Sequence, residues 1–348
     1  MLKNHFYSLK TLNYHNTPIY ISESYLNVSN YLPNSDKTIF LVDEHVFHCD
    51  KYIFKSFNTI VIPSGEQQKS MAFIEELVSK LLDLGADRTY FLVGVGGGVV
   101  CDITGFVASI FMRGIKFGFV PTTLLAQVDA SIGGKNGVNT GVYKNMIGTI
   151  TQPEFILIDE IFLSSLPQEE IINGLAEIIK HACIQDKSYL NFIAQNLSAI
   201  FSLEKEILSS IITTSVIIKT DIVHQDEKEK GVRKILNFGH TFGHAIEKKY
   251  GIPHGRAVSL GMIIANKIAV LINKLDLSSE KIIKDLLEST GLPTDISQLD
   301  LQSLKELVFK DKKKSGSSFD FILLNKIGEA KIISFSPSQL DDIILQLQ

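Results

Sequence analysis

Tyr90-Phe-Leu-Val-Gly94-Val-Gly96-Gly97-Gly98-Val-Val-Cys101-Asp102 decides how the first half of this chain folds. The aromatic and β-branched residues at 90–95 read as a buried strand. The glycines read as a turn, and the apolar stretch at 99–111 as a helix leading to a further strand at 117–120. Upstream, 38–42 and 59–62 are buried strands. Met71, Ile74, Leu77, Val78, Leu81 and Leu82 recur at helical spacing, with Gly85 as the stop. Strand and helix alternate as in a parallel sheet covered by helices, which binds ligands beyond the carboxyl ends of its strands. After 155–158 the rhythm changes to long helices: one opened by Pro167, one over about 204–223, an apolar one over about 257–275 and one over 279–289. A hairpin at 319–324 and 330–333 and a last helix from Ser336-Pro337 close the chain. The fold class is therefore α/β, a parallel-sheet domain over 1–158 followed by a mainly α-helical domain over 159–348.

Composition agrees with two ordinary globular domains: 348 residues, 45% hydrophobic, 21% charged and a net charge of -4. No long basic run points to nucleic acid. Cys49, Cys101 and Cys183 are scattered and odd in number, which fits a reducing compartment and a cytoplasmic protein. The N-terminus has no signal-type apolar run. The one membrane-like window, 91–112, carries five glycines and reads as strand, turn and buried helix, so no membrane partner is expected.

Three of the nine histidines fall within Asn237-Phe-Gly-His240-Thr-Phe-Gly-His244-Ala-Ile-Glu-Lys-Lys-Tyr-Gly251-Ile-Pro253-His254. With Asn237 as N-cap and Gly251-x-Pro253 as the stop, His240 and His244 share one helix face, and His254 arrives from a second direction. Converging imidazoles suit a divalent metal such as Zn²⁺; the alternative is a solvent-facing pair and a loop histidine. Gly239 and Gly243 favour function, because glycine costs roughly 1 kcal/mol in a helix interior, a cost easier to justify where something must approach the backbone. A third ligand could be Glu177, an acid on an otherwise apolar helix, or His181. Equally, Glu177 could simply pair with Lys180 or His181.

The glycine turn at 94–98 lacks the dinucleotide spacing G-x-G-x-x-G. It either receives a pyrophosphate on backbone N–H groups or lets a helix pack closely. Asp43 and Pro63-Ser64-Gly65-Glu66-Gln67-Gln68-Lys69 each follow a strand and could form the rim of a nucleotide site. The stretches from Thr122 through Asp129 to Lys135 and Asn139, and Lys144-Asn145, mix lysines and amides with glycine, as a phosphate site does.

Together these stretches resemble 3-dehydroquinate synthase, a sugar phosphate cyclase family. The resemblance rests on Gly-Gly-Gly-Val-Val-x-Asp102, Met-Arg113-Gly, Pro-Thr122-Thr123-Leu-Leu-Ala-Gln-Val-Asp129-x-Ser-x-Gly-Gly-Lys135, Lys144-Asn145-Met-Ile-Gly, Gly-Leu-Ala-Glu177-x-x-Lys180, Asn237-x-Gly-His240-Thr-x-Gly-His244-Ala-x-Glu and Asp311-Lys-Lys, in one order. It implies a Rossmann-like NAD domain, a helical metal domain and an active site in the cleft between them. Glu177, His240 and His254 would hold zinc or cobalt, with His244 outside the ligand set. NAD would meet Asp43, Ser64 to Lys69, Gly98, Val99, Val100, Cys101, Asp102, Thr122, Thr123, Lys135, Lys144 and Phe162, Leu163, Ser164, Ser165. Substrate would meet Asp129, Lys135, Lys144, Asn145, Lys180, Lys219, Arg233, Asn237, His244 and a lysine of Lys312-Lys313, Lys313 being preferred. Arg113 would reach the phosphate site of a second copy, which implies a homodimer.

The activity implied is conversion of 3-deoxy-D-arabino-heptulosonate 7-phosphate to 3-dehydroquinate and phosphate, with the hydride taken by NAD returned to the intermediate. Against the family pattern, Arg256 replaces a usual carboxylate, Cys101 a usual glycine, and Ser164-Ser165 a common Lys-Thr. Cyclases of other sugar phosphates, a metal-dependent polyol dehydrogenase and a non-catalytic NAD or metal sensor are the competing readings.

Overall fold

A computed structural model describes residues 11–14, 16–50, 54–141, 143–312 and 318–347, with the backbone alone at 310–312. Lys313 and the Lys312 side chain therefore lie outside the described residues. The chain divides into two compact units, Met1–Pro167 with Leu203–Thr220, and Gln168–Ser202 with Asp221–Gln348. This is not a single cut after residue 158: the first unit runs on to Pro167 and also takes in a segment of the helical half.

The first unit contains β1 (Thr11–Tyr14), β2 (Thr17–Ile21), β3 (Thr38–Asp43), α1 (Glu44–Cys49), β4 (Asn58–Ile62), α2 (Met71–Asp83), β5 (Phe91–Gly96), α3 (Gly98–Ile110), β6 (Lys116–Pro121), β7 (Lys135–Thr140), β8 (Tyr143–Ile150) and β9 (Ile156–Ile158). Seven strands form one sheet in the order β1-β2-β9-β6-β5-β3-β4. Every neighbouring pair is parallel except β1 with β2. β3 and β5 are buried along nearly their whole length, which explains their unbroken apolar runs. Phe40, Phe54, Phe91, Phe155 and Phe162 pack with Val42, Val93, Val95 and Leu157 into a core on one side of this sheet.

α3 lies close on β5. A Cβ on Gly94 would stand 2.5 Å from Thr104 Oγ1, and one on Gly105 would stand 2.0 Å from Asn136 Oδ1. Of the two readings of the glycine turn, close packing is therefore satisfied. It does not exclude the other. The residues 135–150, read as a polar binding stretch, form the antiparallel hairpin β7–β8, with Asn136 and Val138 turned inward and most of β8 exposed.

The second unit contains α4 (Gln168–Gln185), α5 (Lys187–Gln195) and α6 (Leu197–Phe201). α7 (Lys205–Gln225) belongs to the first unit up to Thr220. Then come α8 (His240–Tyr250), α9 (His254–Leu271), α10 (Leu277–Ser289), α11 (Leu301–Lys312), the hairpin β10 (Phe319–Lys326) and β11 (Glu329–Phe335), and α12 (Pro337–Leu347). Among the described residues α7 is the one helix long and apolar enough to cross a membrane, and 67% of that window is buried inside the fold, as in a core helix. α9 is buried almost all round and is the central helix of its unit.

Two expectations change at the histidine helix. Asn237 is not its N-cap: it ends a 3-10 turn, Val232–Asn237, and its amide donates to Glu229 Oε1, while Gly239 caps α8 with φ +79°. The glycines of this helix are explained by backbone rather than by a ligand. A Cβ on Gly261 of α9 would stand 1.9 Å from Gly239 O and 2.8 Å from Gly243 N, and one on Gly243 would meet Ala257 O at 3.3 Å. These glycines let α8 and α9 cross backbone to backbone. Gly261→Ala therefore forces the two helices apart. It is expected to lower unfolding free energy by about 3 kcal/mol, the upper end of the usual overpacking cost, as read by urea denaturation.

Candidate active site

The parallel sheet of the first unit gathers residues that are remote in sequence. All its parallel strands finish at the same edge, so Asp43 at the end of β3, the turn after β4, Gly97 and Gly98 after β5, Thr122 and Thr123 after β6, and the 3-10 turn Glu160–Ser165 after β9 share that edge. Gly97 caps α3 without a side chain, leaving first-turn N–H groups of Gly98 and Val99 for an acceptor. Asp43 accepts from His45 N at 2.9 Å, and Ser64 Oγ lies 3.3 Å from its other oxygen. Val100, Cys101, Phe162 and Leu163 are buried in the core, so their side chains are taken up by packing, and any ligand contact from those positions is through backbone. Burial also pushes the Cys101 thiol far above its ordinary range, so it stays protonated. Ser164 and Ser165 hydroxyls donate back within their own turn, to Ile161 O at 2.7 Å and Phe162 O at 2.9 Å.

A charged cluster joins that edge to the hairpin. Lys69, 5% exposed, places Nζ 2.6 Å from Asp102 Oδ2 and 2.7 Å from Asn145 Oδ1. Asn145 has φ +53° and its N–H donates to Asn139 Oδ1 at 2.9 Å; Asn139 in turn donates to Glu66 Oε1 at 2.9 Å, and Lys144 Nζ stands 4.0 Å from the same oxygen. Burial raises the Asp102 pKa, and the Lys69 ammonium pulls against it. Glu66, Lys69, Asp102, Lys144 and Asn145 are thus one network, completed by Asn139. Lys135 is exposed on β7. Elsewhere in the unit, Lys219 Nζ is 2.6 Å from Asp129 Oδ1, an ion pair linking residues ninety positions apart. Arg113 is exposed in a turn where Met112, Arg113 and Gly114 have φ of +50°, +70° and +117°, a strained path that non-glycine residues seldom follow.

In the second unit, Glu177 of α4, His240 at the start of α8 and His254 at the start of α9 bring one ligand atom each to within 4.8 Å of one another. Glu177 Oε1 is 3.4 Å from His240 Nε2 and 3.2 Å from His254 Nε2. The Glu177 side chain is fully buried, and its second oxygen pairs with Lys180, itself 1% exposed. The expected weak helix pair is in fact buried, where loss of one partner strands the other's charge. His240 Nδ1 lies 3.1 Å from Phe238 O and must carry the proton there, which leaves Nε2 as a lone pair facing the carboxylate. Burial lowers the His240 pKa to about 3, so this imidazole is neutral.

His254 is placed differently. Burial works against its charged form, but hydrogen bonds to the Glu177 and Glu247 carboxylates outweigh that and raise its pKa to about 10. Its Nδ1 is 3.3 Å from Glu247 Oε2. Two imidazole Nε2 atoms and one carboxylate, with a second carboxylate orienting one ring, are a donor set that fits Zn²⁺ or a similar divalent ion. His181, fully buried on α4, is not in this trio. His244 is exposed, with its ring 5.2 Å from that of His240 and 6.4 Å from that of His254, beside the trio rather than in it. Arg233, 3% exposed, donates from its guanidinium to Glu227 O. Glu247 is the functional residue that sequence reasoning passed over. Its signal was there, seven residues from both His240 and His254, but spacing does not say which way the ring of His254 turns.

Residues 59–173 match the family model for the 3-dehydroquinate synthase N-terminal part and 174–314 that for the C-terminal part. Two solved structures share the fold. One is a 2-epi-5-epi-valiolone synthase from Streptomyces hygroscopicus subsp. jinggangensis 5008 with NAD+ and Zn2+ bound (TM-score 0.86, 23% identity, 98% of each chain). The other is a 2-deoxy-scyllo-inosose synthase complexed with carbaglucose-6-phosphate, NAD+ and Co2+ (TM-score 0.85, 26% identity, 97% of this chain and 99% of that one). The fold is that of the sugar phosphate cyclases. A 3-dehydroquinate synthase from Sulfurovum sp. (strain NBC37-1) is 45% identical over 279 residues, 79% of this chain and 78% of the relative. The chain belongs to the 3-dehydroquinate synthase family.

Glu177→Ala, His240→Ala and His254→Ala are each expected to lose stoichiometric zinc while keeping the wild-type circular dichroism spectrum, and His244→Ala to keep it. Metal analysis of the purified variants reads this directly. Because zinc must displace the proton that Glu177 and Glu247 hold on His254, zinc affinity is expected to rise with pH through the neutral range, as followed by chelator competition.

Proposed function

We propose that this chain is a cytoplasmic 3-dehydroquinate synthase, a phosphate-eliminating lyase that cyclises 3-deoxy-D-arabino-heptulosonate 7-phosphate with regenerated NAD and a divalent metal, zinc or cobalt. The observation that carries the reading is the trio of the buried Glu177 with His240 and His254 beside Lys180, within a chain 45% identical to a 3-dehydroquinate synthase. The NAD+ and the Zn2+ or Co2+ named for the two solved relatives support the cofactors. When bound, NAD would accept and return a hydride and the metal would polarise a substrate oxygen.

The protein's own residues would do the rest. Glu177, His240 and His254 hold the ion. The open first turn of α3, Asp43 and the residues 64–69 receive the dinucleotide, with Thr122, Thr123 and the backbone at 162–165 along the same edge. Lys69 is locked by Asp102 and Asn145, so it fixes the hairpin residues Lys144 and Asn145 against the nucleotide end. Lys135 and Asn145 of the first unit, and Arg233 of the second, are each assigned as phosphate donors by the family resemblance. Lys180 and His244 steer protons near the metal, Asp129, Lys219 and Asn237 are substrate contacts by the family resemblance, and Lys313 is assigned to substrate by its motif alone.

A homodimer completes the proposal. β8 exposes Tyr143, Met146, Ile147 and Ile150, with Met146 and Ile150 on one face of the strand, apolar surface suited to a second copy, and Arg113 lies in a strained turn. Met146→Asp with Ile150→Asp is expected to move the protein from dimer to monomer in sedimentation velocity.

The activity test is phosphate release from 3-deoxy-D-arabino-heptulosonate 7-phosphate with NAD+ present or omitted and before and after chelation. Release that needs both, forms dehydroquinate and leaves no net NADH is expected. Accumulating NADH would mark a simple dehydrogenase instead.

A further inference from the structure

Glu169, Asn173 and Glu177 stand four residues apart on α4 and so share one face of that helix. Their partners are three consecutive residues of the first turn of α9. Glu169 Oε2 accepts from Arg256 Nη2 at 2.8 Å, Asn173 Oδ1 accepts from the Gly255 N–H, and Glu177 Oε1 lies 3.2 Å from His254 Nε2. α9 needs this help. Its N-cap is Pro253, which has no side-chain acceptor, so the N–H normally satisfied by the cap is satisfied by a residue of another helix. Gly255 confirms how tight the approach is: a Cβ there would stand 2.3 Å from Asn173 O.

We propose that Asn173 is a positioning residue for the metal-binding histidine. By capping α9 from α4 it sets the depth and angle at which His254 meets Glu177, and Glu169 assists by neutralising the cation that Arg256 brings to a helix N-terminus. The ion pair is the weaker part, since its side chains are 33% and 64% exposed. The Asn173–Gly255 bond is partly buried and lies next to the ligand. The departure at Arg256 is thereby accommodated, because its guanidinium is turned to Glu169 instead of to the trio.

The inference rests on the metal reading of Glu177, His240 and His254. Its test is zinc affinity of the full-length protein, measured by competition with a chromophoric chelator, with His254→Ala as control and melting of the metal-free form recorded for every variant. Asn173→Ala is expected to weaken zinc binding about tenfold, as loss of a partner that orients a ligand does, while Asn173→Asp, which keeps the acceptor, retains wild-type affinity. Should Asn173→Ala not fold, Asn173→Ser, whose hydroxyl is one bond short of Gly255, carries the same comparison. Wild-type zinc binding that is lost in His254→Ala but unchanged in the alanine or serine variant overturns the positioning role alone. That role is likewise overturned if those variants merely melt lower with zinc affinity intact. A wild-type protein that binds no zinc overturns the metal reading and the inference with it.

Discussion

A carboxylate with no exposed surface, Glu177, is the constraint around which the second unit is arranged. An ionised carboxyl group taken out of water costs several kcal/mol unless charge and hydrogen bonds surround it. The chain supplies those from three helices. Lys180 comes from the next turn of the same helix and His254 from the first residue of α9, while the neutral His240, at the first residue of α8, turns a lone pair to the same carboxylate and adds a ligand atom. The close crossing of α8 and α9 at Gly239, Gly243 and Gly261 brings the two helix starts to one carboxylate. Glu247 then holds the far side of the His254 ring. Each element has its own local reason to fold, and the buried charge is the reason for their meeting.

The first unit solves a different problem by a different route. A parallel sheet must be covered on both faces, and its strands end at one edge, so loops far apart in sequence become neighbours without any long-range signal in their own residues. The Lys69, Asp102 and Asn145 cluster is the clearest product: three stretches that read separately as a turn, a helix start and a polar run share a single ammonium group.

Much of this was legible in the chain because the periodicities are strong. The strand at 90–95, its glycines and the following helix are found within a residue of expectation, as β5 and α3. What escaped was decided by tertiary contact. β7 and β8 carry glycine, lysine and asparagine in place of a clean alternation, so they read as a polar binding stretch and not as strands until the hairpin pairs them. β1 and β2 are short and only partly buried. Spacing put His240 and His244 on one face, which is correct for the helix, but the imidazole that joins His240 beside Glu177 comes from α9, as the resemblance to known cyclases implied. Gly239 and Gly243 pointed to a close approach, and there was one, but the visitor is a helix backbone. Asn173 gave no sign at all, because its partner is a main-chain N–H.

The division of the chain has a consequence for how it is made. The first unit is not complete when Pro167 has been synthesised: it lacks the segment Leu203–Thr220, and with it Lys219, the cation that neutralises Asp129. A ribosome works from the N-terminus, and domains commonly finish folding as they emerge. Here the first unit is completed only after three helices of the other unit have been synthesised. During that interval Asp129 stands without its Lys219 partner, a delay that a molecule with two sequential domains would avoid.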